Sequence, residues 1–147
     1  MITVSTLLKI KGYDIYSVEA GTLVLKALEL MAEKNIGALL VMDKGNPAGI
    51  FSERDFARKV ATDSKINLET PVDAFMTTEI YCVAQDETMD EVMALMTKQR
   101  FRHLPVCGGD NFIGIISIGD VVKYLIEDKD LLIDNMEKYI LGRGYGE

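Results

Sequence analysis

Two serine–aspartate pairs stand in the same string 65 residues apart: Gly49-Ile50-Phe51-Ser52-Glu53-Arg54-Asp55 and Gly114-Ile115-Ile116-Ser117-Ile118-Gly119-Asp120. The apolar residues before each serine read as the end of a strand, and the residues after it read as the start of a helix. The first turn of a helix presents unpaired N–H groups and a partial positive charge, which favour an anion, and a serine hydroxyl can donate to a phosphate oxygen. A carboxylate three residues on repels bare phosphate but accepts well from the two vicinal hydroxyls of a ribose. The combination therefore suits a nucleoside phosphate, and the upstream glycine leaves room for close approach to the backbone. The same string also serves as a helix N-cap with an acidic first turn, useful for stability alone. A single copy favours that plainer role; its recurrence in register favours binding, and the two roles are compatible.

The recurrence extends well beyond the strings. Residues 15–61 align on residues 80–126 without a gap, with 12 identities in 47 positions. Ordinary amino-acid frequencies give about three such matches by chance. Two copies imply a pseudo-two-fold object with two equivalent binding places. The chain divides into a lead-in (1–14), a first copy (15–61), a polar linker (62–79), a second copy (80–126), and a C-terminal helix with a flexible tail (127–147).

Each copy reads strand, helix, strand, strand, helix. Residues 15–18 and 80–83 are short and β-branched, as strands are. Val24, Ala27, Leu28 and Met31 share one helical face, widened by Leu23 and Leu30; Met89, Val92, Met93 and Met96 do the same in the second copy. Thr88 with Glu91 fits a capping box. Residues 38–43 and 103–107 are apolar runs that end in turn-rich segments, and 48–52 and 112–117 return as their hairpin partners. The closing helices place Phe56, Ala57, Val60 and Ala61 where the second copy has Val121, Val122, Leu125 and Ile126. Short helices are expected at 4–10 and after Pro71, and a further one at 131–141, with residues 142–146 as a frayed tail. The result is an α/β (α+β) chain. Each copy is too small to be comfortable alone, so the two should pack on each other, and their wide apolar helix faces suggest a partner subunit.

Composition narrows the classes. The 147 residues carry a formal charge of −7, which argues against general nucleic-acid binding because that affinity needs a basic face. No apolar stretch approaches the ~20 residues that span a bilayer, and the N-terminus lacks the pattern of a signal peptide. The two cysteines, Cys82 and Cys107, lack CxxC spacing and suggest a reducing cytoplasm without a disulfide framework. Both fall within expected strands and should be buried.

Taken in order and spacing, the repeat, its two Gly-apolar-x-Ser-x-x-Asp strings, residues 78–83 and residues 100–106 resemble paired cystathionine-β-synthase (CBS) domains, a Bateman module. The resemblance covers about 13–127 and implies two pseudo-two-fold related β-α-β-β-α repeats packed through their sheets. It also implies a cleft between the copies that binds an adenine nucleotide and serves as a regulatory sensor without catalysis. By that resemblance Ser52, Asp55, Ser117 and Asp120 meet phosphate and ribose. The base would lie against Ile15, Tyr16, Ser17 and Val18 in one copy and Ile80, Tyr81 and Cys82 in the other. Its second wall would be Ile36, Gly37 and Ala38, or Phe101 with its neighbours. The Ser-Glu-Arg-Asp variant resembles a standalone bacterial subgroup associated with AMP and NAD(H); ATP and ADP are the other candidates.

The two places are not equal. Arg54 can pair with a phosphate, whereas its counterpart is Gly119; conversely the counterparts of Arg102 and His103 are Gly37 and Ala38. Arg54, Arg102 and His103 are the phosphate candidates, each also readable as an ordinary surface or packed side chain. Two rivals stand beside the sensor. One is a structural, dimer-forming module with vestigial sites; the other is a small enzyme using Cys82, Cys107 and His103, which needs a reactive thiol. One histidine and two separated cysteines do not make a metal site. The expected partners are a second copy of the chain and an unknown regulated protein, with neither nucleic acid nor membrane.

Overall fold

The computed structural model describes residues 2–140, apart from the side chains of Leu131, Tyr139 and Ile140; the expected tail at 142–146 lies outside them. The described residues form two compact units: residues 14–81, and residues 2–13 together with 82–140. The lead-in thus belongs with the second copy rather than the first.

In the unit Asp14–Tyr81, β1 (Ser17–Glu19) pairs in parallel with β2 (Ala38–Asp43), which pairs antiparallel with β3 (Asn46–Ser52). Between β1 and β2 runs α2 (Val24–Lys34), and α3 (Glu53–Thr62) follows β3. Lys44 and Gly45 both have positive φ, 52° and 83°, the twist that joins two right-twisted strands through a two-residue turn. Val24, Ala27 and Met31 of α2 bury against Leu39, Val41 and Phe51 of the sheet. Val72 and Phe75, from the 3-10 turn Val72–Ala74 and its end, complete this core, so the polar linker supplies core residues. The expected apolar face of α3 is mostly uncovered: Phe56 is half-buried against Phe75, with ring centroids 5.6 Å apart, while Ala57, Val60 and Ala61 are exposed.

The second unit repeats the plan with one strand fewer. α4 (Met89–Gln99) precedes the hairpin β4 (His103–Gly108) and β5 (Asn111–Ser117). Thr88 caps α4, its side chain accepting from the Glu91 N–H at 3.2 Å. Residues 80–83, expected as a strand, form only an isolated parallel bridge between Val83 and Val106. Two ladder bonds of the first copy have no counterpart: the Ala20 N–H donates to the Met42 carbonyl, whereas the matching Gln85 and Cys107 make no such bond, and a proline removes the other. In the first copy the Leu40 N–H donates to the Tyr16 carbonyl at 3.2 Å; the matching residue is Pro105, which has no N–H to give. Two bonds remain, Val83 N–H to Pro105 O and Cys107 N–H to Val83 O. Beside them Cys82 and Cys107 form a disulfide, with Cα atoms 5.7 Å apart.

The disulfide corrects the expectation of two buried free thiols: Cys82 is exposed and lies outside any strand. A reducing compartment inferred from unpaired cysteines loses that basis. A second correction concerns the C-terminal region. The closing helix of the second copy and the helix expected at 131–141 are one continuous α5 (Ile118–Ile140). No glycine or proline interrupts residues 120–140, so nothing in the sequence stops it.

The lead-in helix α1 (Val4–Lys11) packs into this second unit, where Val4, Leu7 and Leu8 share a core with Val92, Met96, Leu104, Ile116 and Val121. The Val4 N–H donates to the Glu87 carbonyl and the Met89 N–H to the Ile2 carbonyl. Among the described residues, no helix is long and apolar enough to cross a membrane.

Candidate functional site

Both serine–aspartate pairs sit where a strand of a hairpin turns into a helix, and both form reciprocal capping boxes. Ser52 Oγ accepts from the Asp55 N–H at 3.2 Å, and Asp55 Oδ2 accepts from the Ser52 N–H at 2.9 Å. The second pair repeats this at 3.1 and 2.8 Å. The capping role is therefore real in both copies. It also fixes the two side chains: each hydroxyl and each carboxylate is held, half-buried, at the opening turn of a helix.

The upstream glycines give room to the chain itself. A Cβ on Gly49 would meet Met76 Sδ at 2.7 Å and the Thr77 carbonyl oxygen at 2.9 Å; a Cβ on Gly114 would meet Leu8 at 2.7 Å. At Gly49 the approach is locked by mutual hydrogen bonds between Ile50 and Thr77. These glycines serve packing, and the close approach expected for a ligand is taken by residues 76–77 in one unit and α1 in the other.

Around the first pair the structure gathers several of the expected residues. Ala38 is the register partner of Ser52, and the Glu53 N–H donates to the Gly37 carbonyl at 3.1 Å, so this wall borders the capping box directly. Ile36 is half-buried against the core. Ser17 and Val18 lie in β1, one strand further out, beside Leu40 and Val41, with Ile15 and Tyr16 just ahead of it. Lys34 places its ammonium over the Tyr16 ring, 5.4 Å from the centroid, a cation–π contact. Arg54 is half-buried in the first turn of α3 and is engaged by a neighbour.

Around the second pair, His103 is the register partner of Ser117, and the Ile118 N–H donates to the Arg102 carbonyl at 2.8 Å. The Arg102 side chain is exposed, whereas His103 is half-buried and engaged. Phe101 packs against the core. Ile80 and Tyr81 group with the residues 14–81, whereas Cys82 belongs to the second unit and is tied to Cys107. The pairing removes both thiols from nucleophilic chemistry.

One residue at the second pair gave no signal in the sequence. Lys11, the last residue of α1, sets its Nζ 2.6 Å from Asp120 Oδ2 and also donates to the Ile115 carbonyl. Burial pushes the Asp120 carboxyl up, but the Lys11 ammonium and the Ser117 N–H outweigh it and hold the group below its ordinary value. A cleft of about 210 Å³ beside this ion pair is lined by Leu7, Ile10, Lys123, Tyr124 and Glu127 as well as by the pair itself.

Comparison with known proteins places this geometry. The CBS domain family matches residues 2–62 and 72–127, both halves of the repeat. A mitochondrial CBS domain-containing protein of Arabidopsis thaliana, CBSX3, is 36% identical over 124 residues, 81% of this chain; the chain spans 60% of that protein's length. A CBS-domain protein structure from Burkholderia ambifaria is 48% identical with a TM-score of 0.81, covering 86% of this chain and 95% of that one. The CBS domain pair of protein MJ0100, solved in complex with 5′-methylthioadenosine and S-adenosyl-L-methionine, has a TM-score of 0.75 at 20% identity, a likeness of fold alone; it covers 87% of this chain and 98% of its own. With both halves matched and both capping strings in register, the chain belongs to the CBS-domain family as a tandem pair.

Proposed function

We propose that this CBS pair is a regulatory sensor that binds an adenine nucleotide, AMP or NAD(H) before ATP or ADP, and reports its level to a partner protein without catalysis of its own. The observation that carries the reading is the doubled capping box. Each copy holds a hydroxyl and a carboxylate, half-buried, at a helix N-terminus. An anion gains from the N-terminal field, and a diol gains from the carboxylate. Ser52 and Asp55, with Gly37 and Ala38 alongside and Tyr16 one strand out, form the better furnished place. Arg54 adds a guanidinium for phosphate there. AMP has about 23 non-hydrogen atoms; at ~0.3 kcal/mol each a site supplies ~7 kcal/mol, a micromolar-range affinity suited to reporting a metabolite level.

Calorimetry with AMP, ADP, ATP, NAD and NADH tests the reading; heat from at least one is expected, and silence from all five would sink it. The variants should be Asp55→Asn and Asp120→Asn rather than alanine, because the amide oxygen can still accept from the capping N–H. Each should weaken a nucleotide by more than it weakens inorganic phosphate. Equal losses for both ligands refute the ribose assignment.

A specific observation supports a second property, self-association through α5. From Ile126 to Lys138 every described side chain of that helix is exposed, including Ile126, Leu132, Ile133 and Met136. Half of a 23-residue helix therefore lacks cover within its own unit. We take the cover to be a second copy of the chain.

A further inference from the structure

The two capping boxes match to within 0.1 Å in both hydrogen bonds, and the second has α1 of its own unit packed beside it. In the first unit the segment in the corresponding place, against Gly49, is Met76–Thr77, and residues 66–79 contain neither lysine nor arginine. We propose that Lys11 makes the two sites unequal by occupying the face of Asp120 that a ribose diol would use, so that a nucleotide enters the second site only by displacing it. The inference rests on the nucleotide reading above and specifies it site by site.

The geometry supplies three reasons. Asp120 Oδ2 already accepts from the Ser117 N–H at 2.8 Å and from Lys11 at 2.6 Å, which fills the acceptor capacity of that oxygen toward the protein. Lys11 is anchored twice, because its ammonium also donates to the Ile115 carbonyl on β5. A hydroxyl is a weaker donor than an ammonium, so the exchange is unfavourable unless the ligand brings further contacts. A place for the displaced ammonium exists: Glu127 lines the same cleft as Lys11 and Asp120. Lys11 thus shares its cleft with two acidic residues of α5, one of which belongs to the capping box. The ion pair is partly solvated, with side chains 33% and 27% exposed, so the closure is modest and a ligand can reverse it.

Calorimetry of AMP on four proteins tests this: wild type, Asp55→Asn, Asp55→Asn with Lys11→Met, and Asp55→Asn with Lys11→Arg. Asp55→Asn isolates the second site, which should bind AMP weakly. Adding Lys11→Met, which keeps the apolar stem, should tighten AMP there about tenfold, the scale of one partly solvated charge-assisted pair. Lys11→Arg keeps the pair and should leave the site closed. The gain should vanish with 2′-deoxy-AMP, which lacks the diol; a purely structural role for Lys11 would not distinguish the two ligands. If Lys11→Met weakens AMP at the second site or leaves it unchanged while the wild type still binds AMP, the Lys11 assignment is overturned and the nucleotide reading stands. If no protein of the set binds AMP and the wild type is also silent toward the other adenine nucleotides, both fall together.

Discussion

At the residue scale, each serine has two demands on it, and they separate in different measurements. Ser52→Ala and Ser117→Ala remove the side-chain acceptor that satisfies the Asp55 and Asp120 N–H groups. Each should lower unfolding free energy by about 1 kcal/mol, the ordinary cost of losing an N-cap. Urea titration checks this, and an unchanged midpoint shows that the caps are dispensable. Asp120 adds a pH signature. Its carboxyl is held below 3.8 in the folded chain, so its contribution to stability is fully present above that value. The contribution is lost as pH falls from 3.8 through the lowered folded value. The stability difference between wild type and Asp120→Asn should therefore shrink with acid in that window; a constant difference contradicts the assignment. The serine–aspartate pairs were legible because their partners lie three residues apart. Lys11 was not, because 104 residues separate it from Ile115 and only the packing of α1 brings the two together.

At the element scale, helices and hairpins follow their local signals closely, since apolar spacing and turn residues decide them within a few positions. The lost strand at 80–83 shows where pattern alone misleads: its β-branched residues are right, but the partner strand offers Pro105 in place of Leu40. The substitution was visible in the repeat alignment; its consequence depended on knowing which N–H the ladder needs. With two ladder bonds gone, at Pro105 and at Gln85, the disulfide adds a covalent tie between this segment and β4. It closes a loop with a sequence separation of 25, for which chain entropy gives about 3.5 kcal/mol. Oxidised wild type should therefore unfold at a higher urea concentration than the same protein in dithiothreitol, whereas Cys82→Ser should be indifferent to the reductant. Identical wild-type midpoints with and without reductant would show that the bridge contributes nothing. Likewise the continuity of α5 could not be read from apolar faces, because its second half has no core to face.

At the scale of the whole molecule, that second half sets the remaining question. Residues 126–138 add more than three turns of helix whose described side chains touch no core of their own unit. A helical segment of that length is marginal in water when nothing packs on it. Val122, Ile126, Ile133 and Met136 fall within about 80° of one another around the axis at 100° per residue. They form a stripe interrupted by Lys129 and bordered by Leu132, and they are 40 to 55% exposed. A repeated, self-complementary stripe of this kind is satisfied most simply by a two-fold contact, in which the same residues appear on both sides. Sedimentation equilibrium should therefore find a dimer. Replacing Ile126 and Ile133 together by aspartate should give a monomer, because four like charges cannot be buried at one small interface. The core of the second unit, built on Val121, Leu104 and Ile116, is untouched by these changes, so the double variant should dissociate without unfolding. A wild type that sediments as a monomer, with α5 fully helical by hydrogen exchange, would show that this helix stands without a second copy.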